Sequence, residues 1–112
     1  MGWYSKLVGK KFDNISVNAG LEQQKNGAQL VDVREDHEWL EGHAAGAKHI
    51  PLGSLADRLH EIEKKRKVVV ICKSGGRSKQ AAEILAKHGY KAASIDGGTV
   101  EWAAQGLPIE KP

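Results

Sequence analysis

Cys72 is the single cysteine of this 112-residue chain, and it closes the apolar run Val68-Val69-Val70-Ile71. Lys73-Ser74-Gly75-Gly76 follows, and Arg77-Ser78 leads into a helix-like pattern. A free thiol titrates near ~8.5, but helix N-termini and neighbouring cations bring it to roughly 3.5–7.5. Those influences converge on Cys72. A helix beginning at Arg77 or Ser78 offers unpaired N–H groups to an anion. Gly75 and Gly76 let successive N–H groups curl inward, while Lys73 and Arg77 add positive charge. The expected chemistry is nucleophilic, with a Cys72 thiolate cradled by the backbone of residues 73–78. The competing reading is an inert core thiol beside a plain turn, since free cysteines are often buried. Strand, thiol, glycine loop and helix in immediate succession favour the nucleophile.

Other chemistries fit the loop less well. A phosphate-binding loop needs G-x-x-x-x-G-K-[ST], which Gly75 and Gly76 do not open, and the dinucleotide fingerprint G-x-G-x-x-G is also missing. Cysteine phosphatases set a thiolate under a ring of N–H groups closed by arginine. Their loop holds one more residue than the stretch here, where Lys73, Ser74, Gly75 and Gly76 separate Cys72 from Arg77. The smaller ring suits a single sulfur atom better than a tetrahedral ester, which ranks phosphatase or arsenate reductase chemistry below sulfur chemistry.

One cysteine excludes an internal disulfide, a C-x-x-C pair and a multi-cysteine zinc site. An unpaired thiol points to a reducing, cytoplasmic setting. His37, His43 and His49 recur every six residues, a step of about 240° around a helix, so they share no helical face. Gly42 and Gly46 interrupt any strand that would align them. They read as loop residues, and neither metal nor cofactor is expected.

Strands and helices must place the thiol. Asn14–Val17, Leu30–Val33, Lys48–Pro51, Val68–Ile71 and Ala92–Asp96 read as short strands, the four β-branched residues of Val68–Ile71 most clearly. Helical patterns cover Val17–Lys25, Glu35–Glu41, Ser78–His88 and Thr99–Gln105. A further helix is expected to open at Ser54 as N-cap, with Leu55, Leu59 and Ile62 on its apolar face. Gly89 follows the third of these patterns in the position of a helix-terminating glycine. Alternation of this kind predicts an α/β domain with a mainly parallel central sheet between helical layers. Sites in such sheets lie at the carboxyl ends of the strands. Cys72 falls there, on the most apolar and so most central strand.

The domain is expected over residues 13–112, with residues 1–12 as a short extension whose Trp3 and Tyr4 pack against it. Charged residues make up 28%, apolar residues 40%, and the net charge is +3. That balance is ordinary for a globular domain. The basic run Lys64-Lys65-Arg66-Lys67 reads as a solvated helix end. With no aromatic residues interleaved among the cations, nucleic acid is not an expected partner. No stretch reaches the ~18 apolar residues of a membrane span, so no membrane partner is expected either. Lys6, Lys10 and Lys11 interrupt any signal-peptide core. Lys6 stands where an N-myristoylation motif wants Ser or Thr.

Beyond the loop, Asp32-Val33-Arg34-Glu35 followed by Glu38-Trp39, then Gly42-His43, Gly46-Ala47 and His49-Ile50-Pro51, occur in order. Asp96-Gly97-Gly98, Glu101-Trp102 and Gly106-Leu107-Pro108 close the chain. With the Cys72 loop, these motifs resemble single-domain rhodaneses, the thiosulfate sulfurtransferase-like family, over about residues 13 to 110. The resemblance implies a three-layer α/β/α fold and a sulfurtransferase in which Cys72 carries sulfane sulfur as a persulfide. Its donor would be a small anion such as thiosulfate. Its acceptor would be cyanide or a cellular thiol or dithiol, such as that of a thioredoxin-like or another sulfur-relay protein. The runner-up is a persulfide-carrying interaction module with little activity on free thiosulfate.

Lys73, Ser74, Gly75, Gly76, Arg77 and Ser78 would form the substrate-binding cradle. Asp32 and Arg34 are supporting candidates, read first as braces for their loops. Trp39 and Trp102 are expected as core or groove walls. Two positions depart from the family pattern: Lys73 stands where many relatives carry Arg, losing the bidentate fork, and Ala44 replaces a larger aliphatic residue.

Overall fold

In a computed structural model, the structure describes residues 12–112. Most of the expected extension, including Trp3 and Tyr4, lies outside the described residues. The first strand, β1 (Phe12–Ile15), begins at Phe12. There follow α1 (Val17–Lys25), β2 (Gln29–Asp32), α2 (Asp36–Glu41), β3 (His43–Ala44), β4 (Lys48–His49) and α3 (Leu52–Leu55). A 3₁₀ turn at Leu59–Glu61 leads to β5 (Val68–Ile71), α4 (Gly76–Lys87), β6 (Ala92–Ile95), α5 (Gly98–Ala104) and β7 (Ile109–Glu110).

Five parallel strands form one sheet in the order β1-β6-β5-β2-β4, with β5 at its centre. All four residues of β5 are buried, as the continuous apolar run of a two-sided parallel strand requires. Successive side chains point to opposite faces, so Val68, Val70 and Cys72 join one core with Ala81, Ala82 and Leu85 of α4. Val69 and Ile71 join the other, with Val17 of α1 and Trp102 of α5. Burial of each such aliphatic side chain contributes about 2 kcal/mol. The expected α/β/α sandwich with a parallel sheet is the observed one.

Two local expectations need correction, and one strand pairing had no counterpart among them. No helix opens at Ser54: α3 begins at Leu52 after Pro51, with Ser54 inside it, and stops at Leu55. The apolar spacing was real, because Leu55 and Ile62 are buried and Leu59 packs on them. A short helix and a separate 3₁₀ turn, however, supply that face. The helix after the Cys72 loop starts at Gly76, two residues before Ser78, with Gly75 as its N-cap. Finally, β3 and β7 pair antiparallel, His43 with Glu110 and Ala44 with Ile109, a pairing too short to leave a pattern in the sequence. Among the described residues, no helix is long and apolar enough to cross a membrane.

Candidate active site

Cys72 follows the last residue of β5 and is buried. The chain then turns sharply. Gly75 takes φ = 123°, a conformation closed to residues with a Cβ, and this turns its N–H onto the Cys72 Sγ at 3.1 Å. Gly76 is the first residue of α4 and has open space where a Cβ would stand, so only Gly75 uses the freedom expected of both.

The sulfur faces the start of the 12-residue α4. Burial pushes the Cys72 thiol up. Opposing it, hydrogen bonds from the Ser78 hydroxyl and N–H and from the N–H groups of Gly75 and Ser74 stabilise the thiolate, and the net shift is downward. Donors at the helix start thus favour the thiolate over the neutral thiol.

Ser78 is buried in the first turn of α4; its Oγ lies 3.0 Å from the Gly75 carbonyl oxygen and 2.7 Å from Ser94 Oγ of β6. A hydroxyl carries one hydrogen, so donation to the sulfur releases the Gly75 carbonyl. Donation from Ser94 to Ser78 leaves that hydrogen free to turn. Ser94, which had no role in the sequence reading, thereby becomes a neighbour of the site.

The loop is also held from behind. The Thr99 N–H donates to the Cys72 carbonyl at 2.8 Å and the Val100 N–H to the Lys73 carbonyl at 3.2 Å. Gly98 permits this approach, since a Cβ there would overlap both carbonyl groups. The Asp96-Gly97-Gly98 motif therefore leads into a backbone clamp on the Cys72–Lys73 segment.

The two cations expected near the sulfur have different surroundings. Lys73 is exposed and lines a cleft of about 460 Å³ with Arg34, His37, Glu38, Glu41 and Thr99. Arg77 is bound to Glu38 of α2 through two hydrogen bonds, Nη1 to Oε1 at 2.7 Å and Nη2 to Oε2 at 3.0 Å. Its hydrogen bond to Arg77 is the main reason the Glu38 carboxyl is lowered to about 2. In turn, Glu38 raises the guanidinium further, and the negative charge of Cys72 adds to that effect. In the sequence Glu38 belongs to the Glu38-Trp39 motif, and no spacing rule ties it to a residue 39 positions away.

Asp32 and Arg34 form a buried pair, with Asp32 Oδ2 2.8 Å from Arg34 Nη2 and Oδ1 accepting from both Nε and the Arg34 N–H. Arg34 also donates to the Gly42 carbonyl at 2.8 Å. It thus ties together the two ends of α2, the helix that carries Glu38. Within that helix the Glu35 N–H donates to Glu38 Oε1 at 2.8 Å, a capping box. Both residues brace α2, the helix whose Glu38 pairs with Arg77 at the start of α4. Trp39 stacks on His43 and His49, with ring centroids 3.3 and 4.7 Å apart. His49 Nε2 also meets the Arg34 carbonyl at 2.8 Å. Trp102 is a core residue whose Nε1 donates to the Pro108 carbonyl.

The structure is a parallel-sheet α/β domain whose central strand ends in a buried thiol at the start of a helix. Residues 16–105 match the Rhodanese-like domain family, and the chain belongs to that family. A protein named "Sulfurtransferase" from Allochromatium vinosum is 40% identical over 84 residues, 74% of this chain and 78% of the relative. "Thiosulfate sulfurtransferase GlpE" from Actinobacillus pleuropneumoniae is 32% identical over 105 residues, covering 92% of this chain and 97% of that protein. The crystal structure of a rhodanese-related protein from Thermoplasma volcanium superposes with a TM-score of 0.82 at 30% identity, over 90% of this chain and all of that one. These relatives support a rhodanese-type sulfurtransferase in general.

Proposed function

We propose that this domain moves sulfane sulfur through a persulfide on Cys72, taking it from a small anionic donor such as thiosulfate. The carrying observation is the Gly75 N–H on Cys72 Sγ at 3.1 Å, joined by donors that lower the thiol despite its burial. In the first step the Cys72 thiolate attacks the outer sulfur of thiosulfate. The S–S bond to the sulfonate breaks, sulfite leaves with the bonding electrons, and Cys72–S–S⁻ remains. The N–H groups of Ser74, Gly75 and Ser78 bear on the anionic sulfur, an oxyanion-hole logic applied to a persulfide. In the second step cyanide, or the thiolate of a cellular thiol or dithiol protein, takes the outer sulfur and regenerates the Cys72 thiolate. Two covalent half-reactions give ping-pong kinetics. The cycle uses no cofactor, and a reducing compartment such as the cytoplasm keeps the thiol available.

A second reading, a persulfide carrier fed by another protein, gains support from the Glu38–Arg77 pair, which occupies one of the two cations a free dianion would seek. A steady-state assay with thiosulfate and cyanide separates the two. Turnover that disappears in Cys72→Ala supports the enzyme, near silence of the wild type supports the carrier, and turnover retained in Cys72→Ala overturns both.

A further inference from the structure

The charges beside the thiol are arranged unlike those of a simple anion trap. Arg77 closes the loop that Lys73 opens, yet both of its terminal nitrogens are committed to the Glu38 carboxylate. The Arg34 guanidinium is committed to Asp32. Glu41 adds a further carboxylate to the wall of the cleft. Among the described residues, Lys73, next to Cys72 in the chain, lines this cleft without an ion-pair partner. The pair is held in place from both sides. Glu38 is fixed by the Glu35 N–H and by the braced α2 helix, and Arg77 lies in the first turn of α4. A dianion must therefore displace a bidentate carboxylate to use Arg77, and such a pair is among the stronger hydrogen-bonded arrangements available to an arginine.

We propose that Glu38 is a specificity-determining residue: by neutralising Arg77 it weakens the hold of the Cys72 site on dianionic donors such as thiosulfate, which still react, and favours donors of lower charge, such as organic persulfides. For such a donor the thiolate attacks the outer sulfur of R–S–SH, the S–S bond breaks, and R–S⁻ leaves while Cys72–S–SH forms. This inference rests on the sulfur-transfer reading for its donor, but its charge logic is testable without sulfur transfer.

Alkylation of Cys72 by iodoacetate and by iodoacetamide follows one chemistry and differs by one negative charge, so the ratio of the two rates reports how the site receives an anion. In Glu38→Gln the amide oxygen can still accept the Glu35 N–H, while the charge on Arg77 is released. The iodoacetate-to-iodoacetamide ratio is expected to rise about fivefold. Glu38→Asp, which keeps the charge, is expected to stay within about twofold of wild type. The double variant Glu38→Gln/Arg77→Gln, which restores neutrality, is expected to return to the wild-type ratio.

With thiosulfate as donor, Glu38→Gln is expected to lower KM about tenfold with much less change in kcat, the mark of altered ground-state binding. An unchanged alkylation ratio in Glu38→Gln, or a raised ratio that persists in the double variant, overturns the proposal. If Glu38→Gln alone does not fold, the double variant carries the test: a ratio less than about half that of wild type overturns it. A shifted ratio in a protein that never forms a Cys72 persulfide would leave the charge gate standing and remove the sulfur-transfer reading instead.

Discussion

The backbone of Gly98 lies against the carbonyl groups of Cys72 and Lys73, so closely that no side chain could stand there. Through this contact the first turn of α5 fixes the position of the Cys72 peptide, with Thr99 donating to the Cys72 carbonyl at 2.8 Å. The cradle in front of the sulfur and the clamp behind it come from opposite sides of the sheet.

Gly98→Ala should therefore damage both fold and activity. Gly98 has φ = 54° and no room for a methyl group, so the substitution is expected to cost about 3 kcal/mol. Gly53→Ala is the control, since its Cβ would meet nothing within 4 Å, and its effect should stay within about 1 kcal/mol. Urea unfolding of both variants checks the contrast; equal losses would contradict the clamp.

The lowered Cys72 thiol predicts a pH profile. The rate of iodoacetamide alkylation rises with pH as the thiolate forms, so its midpoint should lie below that of an ordinary free thiol. Ser78→Ala removes one stabilising donor, which should move the midpoint upward and slow alkylation at neutral pH about fivefold. Ser74→Ala keeps the N–H that acts on the sulfur, so it should leave the profile unchanged. A Ser78→Ala midpoint equal to wild type would remove Ser78 from the cradle.

Much of this arrangement could be read along the chain, and the rest could not for a physical reason. Four consecutive β-branched residues can be buried on both faces only in a central strand, which placed Cys72 at the end of β5. The stripe Ala81, Ala82 and Leu85 likewise revealed the buried face of α4. These are local patterns. Glu38 meets Arg77 across 39 positions, Ser94 meets Ser78 across 16, and Gly98 meets Cys72 across 26. Glu38 and Gly98 stand in motifs and Ser94 in none, but in no case does the local pattern name the partner that the sheet brings alongside. The expected helix at Ser54 failed differently, because helical spacing of Leu55, Leu59 and Ile62 is also satisfied by two short turns.

The Glu38–Arg77 pair also predicts acid behaviour. A carboxyl lowered from 4.5 to about 2 by its arginine partner contributes stability that is present above 4.5 and lost as pH falls through 2. Because solvent screens the pair, the contribution should be about 1 kcal/mol. Wild type should lose that much more stability than Glu38→Gln between pH 4.5 and 2, read from urea midpoints along the pH series. Parallel losses would show that the pair carries no linkage.

The central claim is that Cys72 holds sulfur covalently, and intact mass reads it directly. After thiosulfate treatment and removal of excess donor, the wild-type protein should gain about 32 Da, one sulfur atom. Cyanide should then remove the gain, and Cys72→Ser should never acquire it. A wild-type protein that gains no mass from thiosulfate or from an organic persulfide, or a Cys72→Ser variant that gains it, would contradict the account.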